Sequence, residues 1–324
     1  MKNPRLTAAA LAALAFGVPH SGHADEQEAL SIRIDAGFIL SGSADNLDPD
    51  GSDKYIADLG SSADMEYTFI PVILPTAEWD IGRPGDLVLF FNSKQRIIDS
   101  AGGLIFNVGA GYPVAGTAEF EFNLFSSFFD EVWKNPYLTG EARSSSDTTK
   151  YGVSLAARNL FDSGLGLTLA YMDDDVEDDL IAETLPQLAR DGSVYALRAE
   201  YSHELSPSLA LGPQLTIIEG DYDGDSSSYS QYTAGLKGTY RGARLAITPE
   251  IYYGNREFDQ TDPIFSSTRE DDIYGVKAML FYRAPFGLQN WSLVSILGFE
   301  KGESSIDFYE TEAASLGVFL SYVF

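Results

Sequence analysis

The chain is predicted to be all-β: a transmembrane antiparallel β-barrel of fourteen strands, or twelve on a narrower reading, with no plug domain. Three observations predict this. Strand-length segments alternate in character at every second residue, the connections between them are alternately short and long, and no segment after the N-terminal leader is apolar for the length of a spanning helix.

The leader comes first. Residues 1–24 place Lys2 and Arg5 before an apolar run from Leu6 to Val18, then Gly22-His23-Ala24 before Asp25. That is the layout of a secretory signal peptide, with cleavage expected after Ala24. The apolar run is too short for a helix that needs about 20 residues to span a bilayer. The mature chain, 25–324, is then expected to be a single outer-membrane barrel, in a Gram-negative bacterium. Its first strand starts near Leu30, which leaves no room for a plug.

Composition narrows the classes. There is no cysteine, which removes thiolate metal sites, iron–sulfur clusters and cysteine nucleophiles. Against 48 acidic side chains stand 21 basic ones, a net charge of −27 that becomes −29 without the leader. A nucleic-acid partner is excluded on that balance, because phosphate must be neutralised by Lys and Arg.

The strands follow by alternation. Tyr232, Ala234, Leu236, Gly238 and Tyr240 share one face, against Thr233, Gly235, Lys237, Thr239 and Arg241. The same division separates Tyr274, Val276, Ala278, Leu280 and Tyr282 from Gly275, Lys277, Met279, Phe281 and Arg283. It also separates Tyr195, Leu197, Ala199 and Tyr201 from Ala196, Arg198, Glu200 and Ser202. Tyrosines at both ends of an apolar stripe suit the two interfaces of a bilayer.

Short connections are expected at 82–86, 113–116, 162–164, 206–208, 241–242 and 284–290. Long polar ones are expected near 41–64, 92–101, 127–148, 173–191, 220–228, 257–272 and 300–312. Seven long loops imply fourteen strands, the short turns being periplasmic and the long loops external. Residues 87–112 are the weak point: if they fold into the lumen instead of the wall, twelve strands remain. The last strand alternates Leu316, Val318, Leu320, Tyr322 and Phe324 outward. Its end, with Tyr322 and the final Phe324, resembles the C-terminal signature read by the barrel assembly machinery.

The long segments together carry −25 of the mature −29, so the negative charge is expected on the external rim. Its candidate residues are Asp173, Asp174, Asp175, Asp178, Asp179, Asp221, Asp223, Asp225, Asp271 and Asp272. Clustered carboxylates suit hard cations, so the cofactor expectation is limited to weakly bound calcium or magnesium at the external loops. The stretches from Asp48 and from Asp221 open like calcium loops, but Leu59 and Tyr232 stand at their twelfth positions, which rules out an EF-hand.

Inward positions carry both signs. Arg33, Glu121, Arg158, Arg198, Glu200, Lys237, Glu250, Lys277 and Arg283 are the pore-lining candidates, joined by Arg241, Arg256 and Glu300. Fourteen strands enclose more space than side chains fill, since about eight already give an interior just filled. The expected function is a porin-like passive channel for small polar solutes below an acidic external rim. The alternative is a non-conducting surface barrel whose loops bind divalent cations, lipopolysaccharide or an external partner. The other expected partners are outer-membrane lipid and the assembly machinery.

No enzyme is expected, and no catalytic residue. Of three histidines only His203 survives leader removal, and it lies beside a short periplasmic turn, the wrong end of the barrel for histidine-partnered hydrolysis.

Residues 128–140 (FFDEVWKNPYLTG), 190–201 (RDGSVYALRAEY), 261–272 (TDPIFSSTREDD) and 290–312 resemble a family of bacterial outer-membrane proteins of unknown function. The resemblance covers most of the mature chain. It implies an outer-membrane barrel with no established activity, and so brings over no site residue. In length and lack of a plug the chain is also similar to monomeric fourteen-strand porins, whereas fatty-acid transporters of that strand number bring an N-terminal hatch.

Overall fold

The computed structural model describes residues 30–81, 87–93, 104–128 and 130–324. The proposed leader and its cleavage site lie outside these residues. The first strands are β1 (Leu30–Ala44), β2 (Glu66–Ile81), β3 (Leu87–Asn92), β4 (Leu104–Val114), β5 (Ala118–Phe128), β6 (Asp130–Trp133), β7 (Ser145–Leu160) and β8 (Leu165–Val176). They are followed by β9 (Gly192–Tyr201), β10 (His203–Ser206), β11 (Leu209–Tyr222), β12 (Tyr229–Arg241), β13 (Leu245–Asp262), β14 (Ser267–Arg283), β15 (Trp291–Ser304) and β16 (Thr311–Val323).

All neighbours are antiparallel. β5 and β6 both pair with β7, and β9 and β10 both pair with β11, so each couple is one interrupted strand and the wall has fourteen positions. The ring closes between β1 and β16, in a register running from Arg33 opposite Val323 to Ala44 opposite Glu312. Closure matters physically, because an open edge in lipid would leave unpaired amides and carbonyls at several kcal/mol each, by order of magnitude. Residues 87–92 and 104–114 stand in the wall between β2 and β5, which settles the count at fourteen rather than twelve. The described residues hold no plug domain: their helices are one α-turn, Leu180–Thr184, and three short 3-10 turns.

Alternation is strict where the wall is regular. In β11 every odd residue from Leu209 to Ile217 is exposed and every even one from Ala210 to Ile218 is buried. The exposed set is apolar, with Leu169 55%, Leu215 59% and Ile251 55% accessible, so these side chains face outward to lipid. Rings flank the apolar band at both ends. Trp291, Tyr322 and Phe324 touch at the short-turn end, with centroids 4.8 and 4.7 Å apart. Tyr171 lies 5.3 Å from Tyr195, and Tyr253 lies 5.4 Å from Tyr274, towards the other end. From Tyr232 to Tyr240 the strand rises about 26 Å before tilt, matching an apolar band about 25 Å tall.

Pairing continues beyond the tyrosines, and here the expected loop boundaries are corrected. β8 runs to Val176, β11 to Tyr222, β13 to Asp262, β14 from Ser267 and β15 to Ser304, so 257–272 is a four-residue turn on two long strands. Strand pairing satisfies the backbone in water as well as in lipid, so a polar composition does not end a strand. Where β9 gives way to β10 the register on β11 is kept, and Gly212 allows a close approach there: a Cβ would sit 1.5 Å from the Tyr201 carbonyl oxygen.

The inner face is only partly polar. Ile39, Ile70, Val72 and Phe319 form one apolar cluster inside β1, β2 and β16. Ile105, Phe125, Met172, Val194 and Ile218 belong to a second, across β4, β5, β8, β9 and β11. At the mouth, segments 45–65, 134–144, 263–266 and 305–310 meet over a third cluster that includes Tyr137, Phe265, Ile306, Phe308 and Tyr309. The loops thus form a packed cap on the barrel's rim.

Candidate functional site

Arg143 locks the cap. Its side chain is fully buried; Nη1 donates to the carbonyls of Asn46 (2.8 Å) and Pro136 (3.1 Å), and Nη2 donates to Ser52 Oγ (2.9 Å) and the Asp53 carbonyl. The guanidinium sits 4.4 Å over the Trp133 ring, whose Nε1 donates to the same Ser52 hydroxyl. Burial lowers its pKa to about 10, against the pull of Asp53 and Asp45, so it stays cationic at neutral pH. Two backbone bonds, Arg143 N to Lys54 O (2.9 Å) and Gly140 N to Ile56 O (3.0 Å), stitch the two loops together. Tyr137 and Tyr309 share a hydroxyl contact at 2.7 Å, and burial pushes Tyr137 up to about 12. Segment 177–191 joins the same assembly through Ile181 N to Lys134 O (3.1 Å).

Beneath the cap, inside the wall, lies a cavity of about 430 Å³. It reaches from the loop residues Asp45, Asp48 and Tyr137 to the inward faces of β9, β11, β12, β13 and β14. Nine carboxylates and six cationic side chains line it. Several are matched: Lys150 Nζ binds Asp130 at 2.9 Å, and Arg269 binds Asp271 through Nε and Nη2 at 2.9 and 2.7 Å. Asp262 accepts the Tyr309 hydroxyl and the amides of Ile264 (2.7 Å) and Phe265 (3.2 Å). Among the described residues Asp45 and Asp48 have no cation in direct contact. Burial raises both, Asp48 well above the usual aspartate range, with each other's charge adding to the effect on Asp48.

The pore-lining candidates divide into two groups. Arg198 and Lys277 line the cavity, Arg198 donating to Thr216 Oγ1 at 3.0 Å and Lys277 lying 4.8 Å over the Tyr252 ring. Glu200 and Lys237 stand 3.7 Å apart, and Glu250 accepts from Gln214, so these belong to a polar belt on the inner wall. Across the barrel, Arg33 binds Asp35 (3.2 Å) and Thr76, and Arg158 binds Glu121 (2.6 Å). Arg283 stands at the short-turn end of β14, opposite Ser292. None of these seven lines the cavity.

The rim candidates separate in the same way. Asp173, Asp174, Asp175, Asp221, Asp271 and Asp272 stand in strands. Asp174 and Asp271 face the cavity, which revises the expectation that the long segments' charge lies wholly on an external surface. Asp178 pairs with Lys134, Asp179 with Arg190 (2.5 Å), Asp173 with the Tyr171 hydroxyl (3.0 Å), and Asp272 with the Tyr253 hydroxyl (2.6 Å). Asp175, Asp221, Asp223 and Asp225 are exposed. Among the described residues no three His, Cys, Asp or Glu side chains are grouped so as to hold a metal ion. His203 is exposed near the short-turn end, 6.3 Å from the Tyr201 ring.

Sequence reasoning read Asp48 only as the opening of a calcium-like loop and did not single out Asp45, Lys150, Arg190, Asp262 or Arg269. Lys150 shares its parity with Ser154 and Arg158, so alternation carried beyond the aromatic ring would have found it. The others lie in or beside the cap, where alternation says nothing.

A closed antiparallel wall, apolar outside and charged within, between aromatic rings, defines an outer-membrane type of β-barrel. The chain belongs to the family described as protein of unknown function DUF2860, whose model matches residues 30–323. No curated protein matches the chain. Among solved structures it is similar to an outer membrane channel from Pseudomonas putida F1, at 15% identity and a TM-score of 0.44, covering 95% of this chain and 100% of that one. It is also similar to an anion-selective porin from Comamonas acidovorans, at 11% identity and TM-score 0.42, covering 91% and 99%. A third is OmpT of Vibrio cholerae lacking loop L8, at 10% identity and TM-score 0.41, covering 92% and 100%.

Proposed function

We propose that this barrel is a passive, porin-like channel for small polar solutes, set in the outer membrane with its short turns in the periplasm and its cap outside. The observation that carries this reading is the charged, solute-sized cavity inside the closed wall. A barrel whose only task was to hold loops at the surface would gain nothing from unmatched charge around an internal space, since burying polar groups costs free energy unless they are bonded. The acidic exterior would gather cationic and dipolar solutes at the entrance, an effect reaching about 10 Å at 0.1 M salt. On this reading the protein performs no chemistry, the leader is removed near Ala24, and Tyr322 and Phe324 guide assembly.

One observation favours a second reading. The cap is tightly bonded across the mouth, as expected of a non-conducting surface protein that presents its loops to lipopolysaccharide or an external partner. Proteoliposome swelling separates the two. Vesicles holding the folded barrel should swell in an isotonic solution of a small sugar or amino acid well above the rate of empty vesicles; equal rates would favour the second reading.

A further inference from the structure

Among the described residues, two groups of opposite sign in the cavity are consumed by no ion pair. Arg256 rises from β13, its Nε donating to Gln231 Oε1 at 2.9 Å and its guanidinium resting 4.6 Å over the Tyr229 ring. Its cross-strand neighbour Asp271 is engaged through both oxygens by Arg269. Among the described residues no carboxylate stands within ion-pair distance of Arg256. The guanidinium is therefore oriented but not neutralised, and its terminal nitrogens remain available to a ligand.

The loop that begins at the end of β1 supplies the other sign. Asp45 accepts the Leu47 amide and Asp48 accepts the Asp50 amide, each at 2.8 Å, and neither has a cation in contact among the described residues. Both open onto the same cavity as Arg256, and Arg256 is one of the cations whose charge acts on Asp45. Beside Arg256 runs an apolar wall of Ile218, Tyr222, Tyr229 and Phe258, the ring pairs Tyr222–Tyr229 and Tyr229–Phe258 lying 6.3 and 5.6 Å apart. A simple anion would meet a lining in which carboxylates outnumber cations nine to six, and a simple cation would leave Arg256 uncompensated. A ligand that carries both charges would engage both groups. The volume of about 430 Å³ suits a small molecule, pockets for such ligands spanning about 300–1,000 Å³.

We propose that the cavity binds a zwitterionic amino acid with an apolar or aromatic side chain, its carboxylate on Arg256, its ammonium on Asp45 and Asp48, and its side chain against the Ile218–Tyr222–Tyr229–Phe258 wall. This rests on the channel reading for its purpose, as the solute class the channel selects, but binding is measurable without conduction.

Calorimetric titration of the full-length folded barrel in detergent tests it with three probes: L-phenylalanine, phenethylamine, which keeps only the cation, and 3-phenylpropanoate, which keeps only the anion. Phenylalanine is expected to bind at least tenfold more tightly than either. Arg256→Gln should cost phenylalanine and 3-phenylpropanoate at least tenfold and leave phenethylamine unchanged. The double change Asp45→Asn with Asp48→Asn should weaken phenylalanine and phenethylamine and spare 3-phenylpropanoate. Equal affinities for the three probes, no binding by any of them, or an Arg256→Gln barrel that binds phenylalanine as before would overturn the site. If Arg256→Gln does not reach the heat-shifted electrophoretic mobility of a folded barrel, the three-probe comparison on the unaltered protein decides. A barrel that binds phenylalanine but carries no current leaves the site standing and removes the channel, and a conducting barrel that binds none of the probes does the reverse.

Discussion

The wall and the cap of this barrel are held by different rules. In the wall, each residue's environment is set by parity: Leu169 faces lipid because Thr168 and Ala170 face inward, and no distant contact is needed to know it. In the cap, Arg143 owes its burial to Asn46 and Ser52, which lie 97 and 91 residues away in the chain. Local rules make the wall tolerant of substitutions that respect parity, whereas the cap hangs on a few long-range bonds.

The sharpest way to break the cap is Arg143→Ala. It leaves the Asn46, Pro136 and Asp53 carbonyls without their shared donor, and buried unsatisfied acceptors cost about 1–3 kcal/mol each. A loss of about 3–5 kcal/mol confined to the cap is expected, on the scale of breaking one side of a buried charge network. Limited proteolysis should then cut within 45–65 or 134–144, while the heat-shifted mobility of the barrel persists.

The wall has its own test. Leu169→Arg puts a charge on the lipid face and should cost about 2–4 kcal/mol near the bilayer midplane, read from refolding into lipid vesicles. Thr233→Lys, one face over and lining the cavity, should cost less than about 1 kcal/mol and change ion selectivity instead.

A weaker effect concerns pH. Because Asp45 and Asp48 hold their protons more tightly in the folded cap than an ordinary aspartate at 3.8, their contribution to cap stability is fully present below 3.8 and is lost as the pH rises through their raised values. Protection of the 45–65 loop from protease should therefore increase as the pH is lowered from 7 towards 4. Asp45→Asn with Asp48→Asn should flatten that dependence. The smallest effect is expected at Lys134–Asp178, a pair open to solvent: Asp178→Asn should change stability by less than about 1 kcal/mol.

This contrast also explains what was legible in the sequence. Alternation in the segments of β9, β12 and β14 identifies the wall and its lipid face, because a period of two is a local property, while the strand number comes from the long loops and stays open between fourteen and twelve. Alternation carries over to Arg198 and Lys277, which reach the cavity, but cannot say that Arg33 and Arg158 are occupied by residues of their own and adjacent strands. The length of β13 and β14 was hidden because Asp262, Asp271 and Asp272 look like loop residues, although each is paired across the two strands. The cap was hidden altogether: Leu47, Tyr137, Phe265 and Phe308 come from four segments whose docking no local pattern encodes.

The central claim is that the charged cavity belongs to a water path through the closed wall. Single-channel recording of the purified, folded barrel in a planar bilayer tests it most directly. Discrete conductance steps, altered in selectivity by Thr233→Lys, are the predicted result; a barrel that inserts with full heat-shifted mobility yet passes no current would contradict it.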